Sequence, residues 1–338
     1  MDSVDISRLS SLKSFNWDEL SGKTMYITGA TGLIGSNLVE ALLSCSSANI
    51  IVQIRNEEKA RKLFGGRVKY VVNDLLVMPK FDDPIDYVVH CANPTSSKYF
   101  VSNPVETINT AITGTMNILE FAKNNKVKSF VYLSTMEVYG LPKKGHKIKE
   151  HECGCFDTSV IRNCYPLSKQ LCENLCFSYS SEYGLDTKVV RLTQCFGPGV
   201  DYYDNRVFAE FARCAIENRN IILKTNGKTE RSYLYITDAI SAILTVLLKG
   251  KCGEVYTAAN ENTYCSILQM AHLVSDMYNI DVKIQEVDVK SLGYADTLYM
   301  KLDTSKLQSL GWRPEVKLKE AFEKLVISMK NDMACRKY

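Results

Sequence analysis

The sequence predicts an α/β protein, a doubly wound parallel sheet accompanied by a smaller, mixed α/β lobe. Three observations lead there. From Lys23 onward, short apolar runs alternate with helical segments, which is the pattern of βαβ units. The first of those runs passes directly into a glycine-rich turn and then a helix. At 338 residues the chain exceeds one minimal domain, and one large α/β domain with a companion would use it up.

Residues 1–22 have no strong period and read as an N-terminal extension, a short helix laid on the main domain. Candidate strands follow at Thr24–Thr28, Ile50–Ile54, Val68–Val72, Tyr87–His90, Phe130–Leu133, Lys188–Leu192 and Glu254–Ala258, enough for a doubly wound sheet with extra edge members. Between Phe196 and Arg231, and again after about Asn260, the alternation gives way to loops, short helices and the isolated stretch Asn220–Leu223. Those pieces are expected to assemble into the second lobe.

Composition narrows the classes of function. With 46% hydrophobic and 23% charged residues, the chain is that of a folded protein with a packed core. A formal net charge of +3, with Lys and Arg dispersed, lacks the basic footprint of a nucleic-acid binder, so no nucleic-acid partner is expected. The longest apolar stretch, Ala239–Leu248, is interrupted by Ser241 and Thr245 and falls well short of the ~20 residues that span a bilayer; it reads as a core helix, and no membrane partner is expected. The start, Met1-Asp2-Ser3-Val4-Asp5, has neither a basic leader nor an apolar signal core, which predicts a cytoplasmic protein. In that compartment the 12 Cys read as reduced thiols rather than a disulfide framework. His146, His151, Cys153, Cys155 and Cys164 lie near one another in sequence, but their spacing matches no paired CxxC pattern, and no metal is expected.

The first strand runs into Gly29-Ala30-Thr31-Gly32-Leu33-Ile34-Gly35 and a helix with Leu33, Ile34, Leu38, Leu42 and Leu43 along one face. Glycine at these places permits a tight turn, close approach of a pyrophosphate and close helix–strand packing, while the helix N-terminus offers free N–H donors. Strand, turn and helix in this order predict a Rossmann-type dinucleotide site in which Gly29, Thr31, Gly32, Leu33, Ile34 and Gly35 contact the cofactor. The second strand ends in Arg55-Asn56 where an acidic residue would hold the adenosine ribose of NAD; a guanidinium there suits the 2′-phosphate of NADP. The cofactor is accordingly NAD(H) or NADP(H). Asp74, after the third strand, is placed to meet the adenine amino group, with Leu75 beside it. The expected division is an extension at 1–22, a dinucleotide-binding domain from 23–195 plus about 230–260, and a substrate-binding lobe from about 196–229 plus 261–330.

Tyr165-Pro166-Leu167-Ser168-Lys169 sets a phenol and an ammonium at i and i+4 on one helical face, with Pro166 tolerated in the first turn. A Lys cation near the phenol favours the phenolate and draws the group toward neutral pH. Ser134 and Thr135 directly follow the strand Phe130–Leu133, at the carboxyl edge of the sheet where doubly wound folds place ligands. The hydroxyl of Thr135 can hydrogen-bond the same sugar oxygen that Tyr165 deprotonates, while a nicotinamide accepts hydride from its carbon.

These residues, with GATGLIG at 29–35, NPVETINTAITGTMNILE at 103–120, STMEVYG at 134–140, YPLSK at 165–169, RLTQCFGPG at 191–199, TERSYLYITD at 229–238 and LGWRP at 310–314, resemble the extended short-chain dehydrogenase/reductases. Within that family the chain is similar to the NAD-dependent nucleotide-sugar epimerases, dehydratases and decarboxylases over about residues 23–325. The resemblance implies Thr135, Tyr165 and Lys169 as the catalytic trio and a nucleotide diphosphate sugar as substrate. It makes Arg231 similar to the arginine that grips the diphosphate, since a guanidinium fork suits phosphate oxygens, with Arg206 and Thr95 as further substrate contacts.

Met136 stands where the 4,6-dehydratases carry the Asp that protonates the leaving hydroxyl, which lowers dehydration in rank. Glu137 remains as a catalytic candidate. The stretches at 91–104, 162–169, 204–207 and 229–235 look most like UDP-glucuronate decarboxylases, which oxidise C4, lose carbon dioxide from the β-keto acid and reduce the ketone again. Arg55 and Gln194 depart from their pattern. C4 epimerisation and decarboxylation lead; an NADPH-dependent reductase of a nucleotide-linked keto-sugar and an inactive NAD(P)-sensing regulator are the alternatives. The resemblance also implies a homodimer formed through the helices 105–123 and 165–181, where Leu171, Cys172, Leu175 and Cys176 enlarge the apolar surface.

Overall fold

A computed structural model of the chain describes residues 1–285 and 297–336. Residues 286–296, which fall in the segment assigned to the second lobe, lie outside the described residues. The first half runs α1 (Ser3–Ser10), β1 (Thr24–Thr28), α2 (Leu33–Cys45), β2 (Asn49–Ile54), α3 (Glu57–Phe64), β3 (Lys69–Val72), β4 (Tyr87–His90), α4 (Ser97–Ser102), α5 (Pro104–Asn124), β5 (Ser129–Thr135), β6 (Lys147–Ile148) and α6 (Cys164–Tyr183). The second half continues with β7 (Thr187–Leu192), β8 (Gln194–Phe196), α7 (Val207–Glu217), β9 (Ile221–Leu223), β10 (Glu230–Tyr235), α8 (Ile236–Lys249), β11 (Glu254–Ala258), β12 (Asn260–Ser266), α9 (Ile267–Tyr278), β13 (Val282–Ile284), β14 (Tyr299–Leu302), α10 (Ser305–Gln308) and α11 (Leu318–Arg336).

The seven expected strands form one parallel sheet in the order β11-β7-β5-β4-β1-β2-β3, the doubly wound arrangement expected from the alternation. Its central strands are buried on both faces, which is why they read as mostly apolar runs. Met25, Ile27, Val52, Val89, Val131 and Val190 join the core under α2 and α8, while Tyr26, Ile51, Val88, Phe130, Tyr132 and Val189 pack toward α5 and α6. The side-chain period of two therefore fills two cores from one sheet. The stretch Ala239–Leu248 lies inside α8, buried from Ile236 to Leu247, and no described helix is long and apolar enough to cross a membrane.

The remaining strands build a smaller sheet in the order β12-β10-β14-β6, with β8 paired to β10, and a separate pair β9–β13. β10, grouped with the dinucleotide-binding segment on sequence, lies in this smaller sheet, whereas α8 packs on β5 and β7 and β11 completes the large sheet. The N-terminal extension packs α1 on α2 and α8. It is pinned there by Tyr235, whose hydroxyl donates to Asp5 Oδ2 at 2.9 Å, and by ion pairs from Arg8 to Glu320 (2.7 Å) and Lys324 to Asp5 (2.9 Å), while Trp17 Nε1 donates to Leu9 O at 2.7 Å within the extension.

Candidate active site at the carboxyl edge of the sheet

The turn after β1 is shaped by glycine. Gly29 has φ +66°, and a Cβ there would lie 2.7 Å from the Ala92 nitrogen; a Cβ on Gly35 would lie 2.3 Å from Gly29 O. Any side chain at either place would displace backbone. Gly32 N donates to Gly29 O at 3.0 Å, and α2 starts at Leu33 with no side-chain cap, so its first-turn N–H groups remain without a capping acceptor. Thr31, Leu33 and Ile34 are half-buried around this turn.

Arg55, the first residue past β2, and Asp74, just past β3, are exposed along the same edge. Asp74 Oδ1 accepts from Leu76 N at 2.9 Å, and Leu75 O accepts from Asn117 Nδ2 at 2.8 Å. After β4, both polar side-chain atoms of Asn93 are buried without a partner. A cradle that any Cβ would fill, an uncapped helix N-terminus and an orphaned carboxamide fit a dinucleotide phosphate and its attached rings.

Thr135 ends β5 and Tyr165 sits in the first turn of α6, close enough that the Thr135 hydroxyl acts on the phenol. Burial and the Glu137 carboxylate push the Tyr165 phenol above its ordinary range, opposed by the Thr135 hydroxyl and the Arg162 guanidinium. Arg162 Nη1 is 2.6 Å from Glu137 Oε2, and Phe100 stacks on the Tyr165 ring with centroids 4.1 Å apart.

Lys169 lies one turn further along α6. Its Nζ donates to Leu133 O at 2.7 Å and sits 4.6 Å above the Tyr132 ring, and burial pushes the ammonium down to about 8. Arg162 is thus a cation that favours the Tyr165 phenolate, while Lys169 donates to a buried carbonyl two residues before the end of β5. His90 lies beneath, 2.6 Å from Thr28 Oγ1; burial and the Lys169 charge lower it to about 3, so it stays neutral.

A buried ion pair backs the strand end. Glu173, one turn past Lys169, accepts from Ser134 Oγ (2.5 Å), Arg191 Nε (2.9 Å) and Arg191 Nη2 (2.7 Å), while Arg191 Nη1 donates to Glu150 O (2.7 Å). This ties α6, β5 and β7 together behind Thr135. Met136 is buried among Tyr139, Ile148, Ala259, Met300 and Leu302, and its sulfur accepts from Thr193 Oγ1 at 3.2 Å.

Of the expected substrate contacts, Arg231 lies in β10 with a buried Nε lacking a partner, and no carboxylate among the described residues pairs with it. Arg206 is closed on Asp204, with Nη2 2.6 Å from Oδ2. Thr95 is exposed on the loop before α4. Thr135, Tyr165 and Glu137 thus come together, Lys169 is adjacent, and Arg231 stands in the smaller sheet. Phe100, Arg162, Glu173 and Asn93 were not expected from sequence; the spacing of Glu173 four residues past Lys169 was the one available signal. Among the described residues no three His, Cys, Asp or Glu side chains gather as a metal site requires, and His146 pairs instead with Glu152 at 2.5 Å.

The sequence model of the NAD dependent epimerase/dehydratase family matches residues 25–259. The chain belongs to this family. Among curated relatives it is similar to UDP-glucuronic acid decarboxylase 6 of Arabidopsis thaliana, 28% identical over 89% of this chain and 87% of that one. Its fold is similar to that of UDP-glucose 4-epimerase from Thermotoga maritima (TM-score 0.79, 23% identity, 92% of this chain and 99% of that one). It is also similar in fold to dTDP-glucose 4,6-dehydratase from Bacillus anthracis (TM-score 0.75, 20% identity, 93% of this chain and 98% of that one). One epimerase/dehydratase scaffold thus carries several reactions, and the side chains at the sheet edge must distinguish them.

Proposed function

We propose that this family member modifies a nucleotide diphosphate sugar by NAD(P)-dependent hydride transfer at a ring carbinol, with Tyr165 as the acid/base group. The observation that carries the reading is the meeting of Thr135, at the end of β5, with Tyr165, in the first turn of α6, beside a glycine cradle built for phosphate. A bound nicotinamide would supply the hydride acceptor and donor there. As the phenolate, which the Arg162 guanidinium favours against burial, Tyr165 takes the hydroxyl proton as the ketone forms and returns it when the ketone is reduced, while Thr135 holds the same oxygen. Arg231, unpaired among the described residues, is the group for the diphosphate.

Decarboxylation of a nucleotide-linked uronic acid and C4 epimerisation are the leading reactions. The relatives named UDP-glucuronic acid decarboxylase favour the first, as does the Glu137–Arg162 pair facing Tyr165. Dehydration is disfavoured because Met136 fills an apolar cluster where an acid would be needed. A second reading, net reduction of a keto-sugar by NADPH, draws on the exposed Arg55. The free thiols from Cys45 to Cys265 support a cytoplasmic setting. A homodimer is supported by Val105, Ile108 and Met116, exposed in one stripe of α5, and by Leu171 on α6.

NMR of products after incubation with UDP-glucuronate, UDP-glucose and other UDP-, CDP- and GDP-sugars tests the reading. A pentose product with carbon dioxide, or a C4 epimer, is expected; turnover of none of them contradicts it.

A further inference from the structure

We propose that Arg55 selects a dinucleotide bearing a phosphate on its adenosine ribose, so that this chain binds NADP(H) in preference to NAD(H). The proposal deepens the reading above and rests on the glycine turn being a dinucleotide cradle. In a doubly wound sheet the residue that follows the second strand stands beside the adenosine ribose; an acid there binds the two ribose hydroxyls and repels a phosphate, whereas a guanidinium attracts one.

Backbone register puts Arg55 at that place. Thr28 pairs with Gln53 across β1 and β2, so β2 ends one residue past β1, and Ile54 O accepts from Asn73 N at 3.0 Å. Gln53 is buried and accepts from Tyr26 OH at 2.6 Å, which fixes the strand end and leaves Arg55 as the first residue outside it. Arg55 is exposed, and no ion pair engages it among the described residues.

The neighbouring groups that might take an acid's role are committed elsewhere. Asn56 Oδ1 caps α3 by accepting from Lys59 N at 2.8 Å. Glu57 is held by Arg61 at 2.6 Å and Glu58 by Lys62 at 2.7 Å, both along α3. Glu40, on α2, is paired with Arg67 at 3.0 Å. The nearby carboxylates are thus neutralised by their own cations, and Arg55 is the open charge at the strand end. A phosphate monoester offers oxygens that a guanidinium fork contacts in pairs, an interaction that a ribose hydroxyl cannot equal.

Titration of the purified protein with NADPH and with NADH, followed by nicotinamide fluorescence, tests this without any sugar substrate. The wild type is expected to bind NADPH at least about tenfold more tightly than NADH. Arg55→Ala should weaken NADPH by about tenfold or more while leaving NADH within about threefold, and Arg55→Asp should invert the preference. Equal or tighter binding of NADH by the wild type overturns the proposal and leaves the cradle standing, as does an Arg55→Ala variant that weakens both dinucleotides equally. Failure of the wild type to bind either one overturns the cradle and the proposal together.

Discussion

Tyr165 and Lys169 show how burial redistributes roles within a short motif. Their i, i+4 spacing predicts adjacency, and α6 delivers it, yet the ammonium is spent on Leu133 O while Arg162 faces the phenol. Burial lowers Lys169 to about 8 from an ordinary value of 10.5. Between those two pH values the unfolded chain binds more protons at this residue than the folded one does, so its effect on stability is unfavourable below about pH 8 and is relieved as pH rises toward 10.5. In urea unfolding, the wild type should therefore gain on a Lys169→Met variant by roughly 1–3 kcal/mol between neutral and alkaline pH. A constant gap between the two proteins would mean that the ammonium is not desolvated. The sequence pointed to these residues because hydroxyl, phenol and ammonium fall at fixed offsets from a strand end and a helix start. Arg162 and Phe100 were hidden, since one meets Glu137 from a single 3-10 turn just before α6 and the other comes from a short helix far back in the chain.

At the level of elements, the carboxyl edge is held by the Glu173–Arg191 pair, which is buried on both sides and joins α6 to β7 while Glu173 also receives Ser134 from β5. Removing one member leaves a desolvated charge. Arg191→Met is expected to cost about 3–5 kcal/mol in urea unfolding, and adding Glu173→Gln to it should recover part of that loss. A loss below about 1 kcal/mol for the single variant would show that water reaches the pair. The large sheet was legible because parallel strands covered on both faces are largely apolar, with their few polar residues, such as Gln53 and Arg191, paired inside. The smaller sheet was not: β6 has two residues and β8 three, too few to establish a period, and their partners β14 and β10 are distant in sequence. β10 pairs in the smaller sheet yet leads without a break into α8, which packs on the large one, so the chain's change of sheet leaves no mark in the sequence.

For the whole molecule, the N-terminal extension and the C-terminal helix act as one fastening. Asp5, fully buried, receives Tyr235 and lies 2.9 Å from Lys324 of α11, so the two chain ends are tied across the start of α8. The other face of the large sheet carries α5, packed on α6, with Val105, Ile108 and Met116 71%, 39% and 44% exposed and Leu171 exposed on α6. Cys172 and Cys176, expected to extend that surface, are instead fully buried. If two copies meet through these helices, light scattering will give a dimer for the wild type and a monomer for Ile108→Glu with thermal stability of the subunit retained. A wild-type monomer would assign the stripe to some other partner.

The claim on which the functional account turns is that Tyr165 moves a proton while hydride leaves a ring carbinol of a nucleotide sugar. Rapid mixing of the dinucleotide-loaded protein with the nucleotide sugar that it converts, monitored by the near-ultraviolet absorbance of reduced nicotinamide, tests it most directly. The account predicts a transient rise for the wild type, and a rise slowed by about 10²–10⁴-fold in Tyr165→Phe with sugar binding preserved. Reduction at an unchanged rate in Tyr165→Phe, or product formation without any reduced nicotinamide under single-turnover conditions and with deuterium retained by no cofactor, would contradict it.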